Sequence, residues 1–273
     1  MHMANPPGFA LLLKKASLVG AFFVGAIWQL SAEAFCPAPE KPRQVTVRHV
    51  VDGDTLRLAD GRSVRLIGIN APEIGRRGKA SEPFAEVARR RLQALVKASD
   101  DRIGLVAGAE SKDRYGRTLA HAYGRGGVNL ESVLLGEGLG YRIVIPPNGR
   151  LADCQLKAEQ AARKARLGVW RQSPARRPNT VRQAGFAVIA GRVSSIERNR
   201  GGLWLTLDGA VVVQVPGRQL KRFPSGFFDS LKGRQIEVRG WVRDRSSQGG
   251  LKPDRSRWLL PLTDPGMLEV SRR

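Results

Sequence analysis

The amino-acid sequence is interrupted at one place by a segment that cannot belong to a hydrophobic core. Residues 173–180 read Ser-Pro-Ala-Arg-Arg-Pro-Asn-Thr, with no apolar side chain larger than alanine. Two prolines and an arginine pair in so short a stretch are typical of a linker. Because 273 residues are enough for two ordinary domains, we predict one domain over residues 35–172, a linker over 173–184 and a second domain over 185–273.

The first domain is predicted to be a β-rich α+β unit in which strands precede helices. Its short β-prone runs are separated by Asp-Gly pairs at residues 52–53 and 60–61, which favour tight turns. We expect Ser81 to be the N-cap of the first helix. The apolar residues that follow it at helical spacing are Phe84, Val87 or Ala88, Leu92 and Leu95. A short helix is predicted after Asn129, and an alanine-rich helix over Leu151–Leu167 with Trp170 as a core residue beyond it.

The second domain is predicted to be almost entirely β. Glycine and charged turns separate five short apolar runs, at residues 187–195, 203–207, 211–215, 235–242 and 257–260. Five short strands in so few residues suit a small closed barrel of the OB type.

The N-terminal residues 1–34 have the layout of a secretory signal peptide. Lys14 and Lys15 precede an apolar stretch at 16–30, and an Ala-x-Ala site follows at 32–34. The alternative is a retained membrane anchor, but fifteen helical residues span only about 22 Å of a hydrocarbon core roughly 30 Å thick. We therefore expect a secreted or periplasmic protein, which contacts a membrane only if this segment is retained.

The two cysteines, Cys36 and Cys154, both lie beyond the predicted cleavage site. Disulfides persist outside the reducing cytosol. The expected export therefore favours a bridge between them, with two packed free thiols as the alternative.

The chain carries a large excess of positive charge. It has 46 Lys and Arg against 24 Asp and Glu, a formal net charge of +22. Such an excess costs self-repulsion and is usually retained where a polyanion binds, most often nucleic acid or an anionic membrane surface. The sequence contains a single stretch apolar enough to enter a bilayer, which excludes a multi-span membrane protein. The alternative is a generally basic protein without a polyanionic partner, and no protein partner is indicated.

Three short motifs in the first domain carry charged residues suited to phosphate chemistry. They are Asp-Gly-Asp-Thr at 52–55, Arg-x-x-x-x-Asn-Ala-Pro-Glu at 65–73 and Asp-Arg-Tyr-Gly-Arg at 113–117. Phosphodiester hydrolysis needs a base for the attacking water and cations for the charge that accumulates on the phosphoryl oxygens. Arginine suits this task because its planar guanidinium donates two parallel hydrogen bonds and keeps its charge. Each motif alone is more commonly a turn or a solvated charge than a functional site.

Together, and in this order and spacing, the motifs resemble the staphylococcal-nuclease family over residues 44–171, as far as the closing Gly-Val-Trp at 168–170. The resemblance implies a five-stranded OB-type barrel with three helices and a calcium-dependent phosphodiesterase, although another divalent metal is possible. By position it implies catalytic roles for Arg65 and Arg117 on the phosphate and for Glu73 as general base. The implied metal ligands are Asp54, Asn70 and the carbonyl of Ala71, and the implied substrate-binding residues are Tyr115 and Arg114.

Two positions depart from the family's pattern. Asn70 stands where the family usually has aspartate, which removes one negative charge and should weaken calcium binding, with Asp52 as a nearby candidate to compensate. The family's base-stacking tyrosines after the second helix have no obvious counterpart, since Tyr141 is out of register. The absence of an aromatic ring on which a base can stack should weaken base binding.

The second domain permits two interpretations. Its arginines could follow a phosphate backbone while Trp241, Phe223 or Phe227 stacks on bases, or the aromatic residues could be core and the arginines a solvated face. For the whole chain we favour an exported metal-dependent endonuclease acting on DNA and possibly RNA with low sequence specificity. The alternatives are a non-catalytic nucleic-acid binder on a nuclease-like scaffold and an envelope-tethered interaction protein.

Overall fold

A computed structural model describes residues 36–246 and 256–271. The predicted signal peptide at residues 1–34 lies outside these described residues. Within them, no helix combines the length and apolar character that crossing a lipid bilayer requires.

The first half of the described chain forms a closed barrel with helices packed against it. This half of the described chain contains seven strands: β1 Arg43–Val50, β2 Thr55–Leu58, β3 Ser63–Leu66, β4 Ile69–Asn70, β5 Arg102–Lys112, β6 Thr118–Tyr123 and β7 Tyr141–Arg142. Strands β4 and β7 pair with each other outside the barrel. Its helices are α1 Ala85–Lys97, α2 Leu130–Gly136 and α3 Ala152–Lys164. The barrel order is β1-β2-β3-β6-β5, and β3 and β6 are its parallel pair. This is the predicted OB-type barrel of five strands.

The first helix differs from its prediction in two details. Its N-cap is Phe84, with a left-handed φ of 69° and no side-chain cap, whereas the Ser81 hydroxyl accepts a hydrogen bond from the Gly75 amide at 3.1 Å. The prediction that Ser81 is the N-cap of α1 was therefore wrong. The buried stripe is Ala85, Ala88, Leu92 and Val96. Val87 lies outside that stripe and is exposed.

The other two helices begin close to where the sequence places them. The Asn129 side chain caps α2 by accepting a hydrogen bond from the Ser132 amide at 2.8 Å. Trp170 follows α3 and is buried, as predicted.

The second half forms a second closed barrel. Its strands are β8 Gly185–Asn199, β9 Gly202–Leu207, β10 Val211–Pro216, β11 Gln235–Asp244, β12 Trp258–Pro261 and β13 Leu268–Val270. The order is β12-β10-β9-β8-β11, and pairing of β11 with β12 closes the ring while β13 adds to β11. The sequence did not predict β13, because three residues are too short for an alternating pattern to be recognised.

The segment predicted as a linker packs along the second barrel. Backbone hydrogen bonds join Arg176 to Val188 at 2.9 Å and to Ala190 at 3.0 Å. Pro178 and Val181 are buried. These contacts fix the path of the chain between the two barrels.

The two barrels share buried contacts of both apolar and ionic kinds. Ile143 and Val144 of the first half belong to the hydrophobic core of the second. Arg239 of β11 is 1% exposed, and its Nη1 lies 2.7 Å from Glu159 Oε1 on α3. Arg163, also on α3, contacts Glu237 at 2.9 Å. Burying this many charges requires mutual pairing, so the barrels depend on each other's side chains.

The two cysteines form a disulfide in the structure. Cys36 precedes β1 and Cys154 lies in α3, with their Cα atoms 5.3 Å apart. The bridge closes 118 residues of chain and thus links the start of the described residues to the helix that contacts the second barrel.

Candidate active site

The Asp-Gly-Asp motif forms the turn between β1 and β2 and directs one carboxylate inward. Asp52 Oδ1 accepts a hydrogen bond from the Asp54 amide at 3.0 Å, an arrangement typical of Asx turns. Gly53 allows the turn to pack closely, because a Cβ there would lie 2.6 Å from the Cβ of Ala71 and 2.7 Å from that of Ala88. Asp54 is consequently buried, and its Oδ2 accepts a hydrogen bond from the Ala71 amide at 2.7 Å.

Arg65 joins this carboxylate to the next motif. It lies on β3 opposite Thr55 of β2, and its Nη1 is 2.6 Å from Asp54 Oδ2. Its Nη2 donates to Asn70 Oδ1 at 3.1 Å. Asn70 is held by pairing of β4 with β7, opposite Tyr141. The structure therefore brings Asp54, Arg65 and Asn70 into direct contact.

The electrostatics around Asp54, Arg65 and Asn70 favour binding of an additional cation. The pKa of Asp54 is raised to about 7 in total: burial is the largest cause, the charge of Arg65 opposes it and the nearby Asp52 carboxylate adds to it. No cluster of three His, Cys, Asp or Glu residues able to hold a metal exists among the described residues. A metal here would therefore also need the amide oxygen of Asn70 and the carbonyl of Ala71. Carboxylate, amide and carbonyl oxygens are the hard ligands that Ca²⁺ accepts in loose geometry, so the residues present fit it.

Glu73 follows this group at the start of a loop whose ends are fastened together. Its amide donates to Glu82 Oε2 at 2.9 Å, and the Glu82 amide donates to the Glu73 carbonyl at 2.9 Å. Glu73 is exposed at the surface. Its pKa is nevertheless raised, first by partial desolvation in the groove and then by the charge of Asp52, while Arg65 lowers it.

Arg117 is positioned by Asp113, four residues before it. Asp113 Oδ2 accepts from Arg117 Nε at 2.7 Å, and Oδ1 accepts from the Arg117 amide at 2.9 Å. Partial desolvation acts to raise the pKa of Asp113, but the hydrogen bonds from Arg117 hold it below its ordinary value. Sequence reasoning did not assign Asp113 a role, although an acidic residue four positions before the arginine was a usable signal.

Tyr115, at the tip of the same turn, presents an open aromatic ring. Its side chain is 69% exposed. The Arg114 guanidinium lies 4.8 Å from the ring centroid and that of Arg117 lies 5.6 Å from it. The two cations flank the ring at distances typical of cation–π contacts.

One open groove of about 1980 Å³ is lined by most of the predicted site residues. They are Asp54, Arg65, Asn70, Glu73, Arg114, Tyr115 and Arg117. Ala71 is buried and is not part of the lining. Within the described ranges, no hydrogen bond or ion pair joins Arg117 to Arg65 or Glu73, so the shared groove is what relates them.

The structure divides the aromatic residues considered for base stacking into packed residues and one that lines the groove. Phe223 is buried, and Phe227 packs partly buried against the same core. Tyr141 packs between Trp170, at a centroid distance of 5.4 Å, and Phe186, at 5.2 Å. Trp241 lines the groove instead. Sequence alone could not make this distinction, because buried Phe223 and groove-lining Trp241 both lie within two residues of an arginine.

The fold and the groove define an OB-barrel protein with arginines and carboxylates arranged along one open cleft. Comparison with known proteins is more specific: residues 63–172 match the family model described as staphylococcal nuclease homologue. A relative named thermonuclease, from Staphylococcus intermedius, is 32% identical over 127 residues, which cover 45% of this chain and 74% of that protein. The chain belongs to the staphylococcal nuclease family, and the resemblance stated from the motifs is confirmed.

Two further relatives show how much of each chain is shared. The micrococcal nuclease of Shigella flexneri is 32% identical over 152 residues, which cover 50% of this chain and 79% of the relative. The SPbeta prophage-derived endonuclease YokF of Bacillus subtilis (strain 168) is 33% identical over 130 residues. The chain spans only 43% of YokF. The alignments cover half of this chain or less.

Proposed function

We propose that this protein is a nuclease that hydrolyses phosphodiester bonds in DNA, and in RNA as well, with low sequence specificity. One observation carries the proposal: Arg65 lies against Asp54 and Asn70 in a groove that Glu73 and Arg117 also line. The names of the relatives, thermonuclease, micrococcal nuclease and endonuclease, support it. No element of this group is suited to reading base edges, which is why we expect low sequence specificity.

In the proposed reaction, the Glu73 carboxylate accepts a proton from water as the water oxygen forms a bond to phosphorus. The bond from phosphorus to the leaving oxygen breaks, and that oxygen takes a proton from solvent. Arg65 and Arg117 donate hydrogen bonds to the phosphoryl oxygens as negative charge accumulates there. Arg65 can do so while bound to Asp54 and Asn70, since a guanidinium has five N–H donors and these contacts do not use all of them.

Calcium is the proposed metal, and Asp54, Asn70 and the Ala71 carbonyl are the residues that would hold it. When bound, a divalent cation supplies electrostatic stabilisation of the phosphoryl oxygens. Asn70 provides an oxygen ligand but no charge, and Asp52 lies close enough to influence the pKa of Asp54. We therefore expect weaker calcium binding than an aspartate at position 70 would give.

Digestion of supercoiled plasmid, with millimolar calcium or with chelator, tests the enzymatic proposal. Wild type should nick and linearise the plasmid only with calcium, and Glu73→Gln should not. Glu86→Gln is a matched control, because Glu86 is an exposed α1 residue paired with Arg89 outside the groove, and it should cleave like wild type. Arg117→Ala should lower turnover by about 10²–10³-fold, the usual effect of losing one preorganised donor.

A binding measurement separates this proposal from its main alternative. Glu73→Gln should still shift labelled DNA in a gel. If wild type binds DNA but never cleaves it at millimolar calcium, the enzymatic proposal is wrong and the chain is a non-catalytic nucleic-acid binder.

We also propose that the protein is exported. The disulfide between Cys36 and Cys154 supports an oxidising compartment, and the signal-peptide pattern at residues 1–34 remains a prediction. N-terminal sequencing of protein from periplasmic, membrane and culture fractions tests this. A mature chain that begins near residue 35 in a soluble fraction agrees with export by cleavage, whereas an intact N-terminus in the membrane fraction indicates a retained anchor.

A further inference from the structure

The second barrel contributes residues to the groove that holds Arg65 and Glu73. Gly240, Trp241, Arg243, Pro261 and Thr263 all line it. We propose that Trp241 and Arg243 bind the nucleic-acid strand beside the scissile phosphate, with the indole stacking on a base and the guanidinium contacting a phosphate. This inference rests on the proposed nucleic-acid substrate, and it assigns part of the binding surface to a domain outside the region matched by the family model.

The strand geometry of β11 places both side chains on one face. Residues two apart in a strand point to the same side, so Trp241 and Arg243 project together. Gly240 and Val242 alternate with them and are buried. Trp241 is 39% exposed, and Arg243 is exposed. A large aromatic ring and a cation therefore face the same groove.

The indole of Trp241 is held by packing on one side. Its ring lies 5.4 Å from that of Phe186 in a T-shaped arrangement, and Phe186 contacts Tyr141 in turn at 5.2 Å. A ring that is already fixed loses little conformational entropy when a base stacks on it. Trp241 is thus a preorganised platform, whereas a freely rotating surface tryptophan would not be.

Arg243 has its charge available for a phosphate. No acidic side chain forms an ion pair with it within residues 36–246 and 256–271. The neighbouring Asp244 is engaged by Arg257 at 2.6 Å. In an already strongly cationic chain, an arginine lining the groove with no acidic partner among the described residues suits the regular negative charge of a nucleic-acid backbone.

Among the described residues, the segment 141–145 of the first half offers no exposed aromatic ring to the groove. Tyr141 packs against Trp170 and Phe186, and Ile145 is the exposed groove residue that follows it. An aliphatic side chain has no π-face on which a base can stack. Trp241 and Tyr115 are therefore the exposed aromatic residues that line the groove among the described residues.

Binding is best measured with full-length protein carrying Glu73→Gln, in chelator, so that the strand is not cut during titration. A fluorescein-labelled 20-nucleotide single strand serves as the probe. Trp241→Ala should weaken binding roughly 5- to 150-fold, the range for loss of one base-stacking residue. Trp241→Phe should retain most of the affinity. Trp241→Leu keeps an apolar side chain against Phe186 but removes the π-face, so it should bind as weakly as alanine and serves where the alanine variant fails to fold.

Matched controls use the same barrel outside the groove. Trp204 lies on β9 and donates to Asn199 at 2.8 Å, so Trp204→Phe should leave affinity unchanged. Arg243→Ala should reduce the dependence of log Kd on log salt by about 0.7, the value for one phosphate contact on a single strand. Arg200→Ala removes the same charge from the exposed turn after β8 and should leave that slope unchanged.

Turnover of bis(p-nitrophenyl) phosphate, a phosphodiester with neither a nucleobase nor a flanking phosphate, distinguishes the two proposals. On the otherwise wild-type chain, Trp241→Ala should slow plasmid cleavage by a larger factor than it slows turnover of this small diester. Trp204→Phe, outside the groove, should change neither rate. Folded Trp241→Ala and Trp241→Leu variants that bind the 20-nucleotide strand within twofold of their parent overturn this inference, and with it the assignment of the second barrel to strand binding. If wild type cleaves nothing yet these variants lose affinity, the proposed enzyme is wrong but the binding surface stands.

Discussion

Replacing Arg239 with methionine should destabilise the whole described fold, because it leaves a carboxylate buried without its main partner. The Arg239 Nη1 lies 2.7 and 2.8 Å from the two oxygens of Glu159, and Glu159 is completely buried. Methionine fills a similar volume with an unbranched apolar chain. The substitution therefore removes the charge and its hydrogen bonds while changing the packing little.

The expected cost is about 3–5 kcal/mol of unfolding free energy, the range for removing one partner of a buried ion pair. Glu159 keeps a hydrogen bond from the Arg142 amide at 2.7 Å and a more distant contact with Arg163 Nε at 3.5 Å. Neither replaces two short charged contacts. Since domains are commonly stable by about 5–15 kcal/mol, a loss of this size is readily measured.

Urea denaturation followed by circular dichroism measures the effect, with tryptophan fluorescence as a second probe. Trp170 reports on the region because the Arg163 guanidinium lies 3.9 Å from its ring centroid. The matched control is Arg125→Ala, which removes an arginine 2.6 Å from Asp100 where both side chains are mostly exposed. An exposed pair of the same length contributes at most about 1 kcal/mol, so this variant should unfold nearly like wild type.

The double variant Arg239→Met with Glu159→Met completes the test. Removing both charges eliminates the uncompensated carboxylate, so the double variant should be more stable than Arg239→Met alone. The reasoning is refuted if Arg239→Met costs no more than Arg125→Ala. It is also refuted if the two buried substitutions simply add.

Three further outcomes are expected. Replacing Cys36 and Cys154 with serine together should lower the unfolding free energy by up to about 4–5 kcal/mol, because the bridge restricts a long loop in the unfolded chain; urea denaturation that shows no loss contradicts this. Burial and neighbouring carboxylates raise the pKa of Glu237 from 4.5 to about 7, so the folded chain holds a proton that the unfolded chain releases, and this stability is present below pH 4.5 and lost as pH rises to 7. Calorimetry at pH 5 and pH 8 should therefore show a larger loss of stability for wild type than for Glu237→Gln, and equal losses would be evidence against the shift. Asn70→Asp should tighten calcium binding measured by titration calorimetry, and a variant that needs more calcium than wild type places residue 70 outside the metal ligands.

The sequence predicted the regular elements of the first barrel well where a pattern is local. β-prone runs separated by Asp-Gly turns indicated β1 and β2, and the Asn129 cap indicated α2. The start of α1 was wrong because Ser81 is used in a tertiary contact with Gly75, and local capping preference cannot foresee such a contact. Strand β13 was missed because its stabilising pairing with β11 is remote in sequence.

The candidate site shows the same division. The family resemblance carried by the motifs implied site roles for Arg65, Asn70 and Glu73, and the structure places all three around one groove. The burial of Arg239 was not foreseeable, because an arginine within a basic strand looks solvated until its partner, 80 residues earlier in the chain, is known. The position of Trp241 in the groove depends on packing between the barrels, which no local pattern encodes.

Because Ile143 and Val144 insert into the core of the second barrel, neither half of the protein is suited to expression as a separate fragment. A fragment that stopped at the end of the linker would expose these two side chains to water and leave the Glu159 carboxylate without its guanidinium. A fragment that began there would lack part of its own interior. The sequence suggests two separable domains, but each half depends on side chains of the other and should not fold well when it is fused alone to another protein.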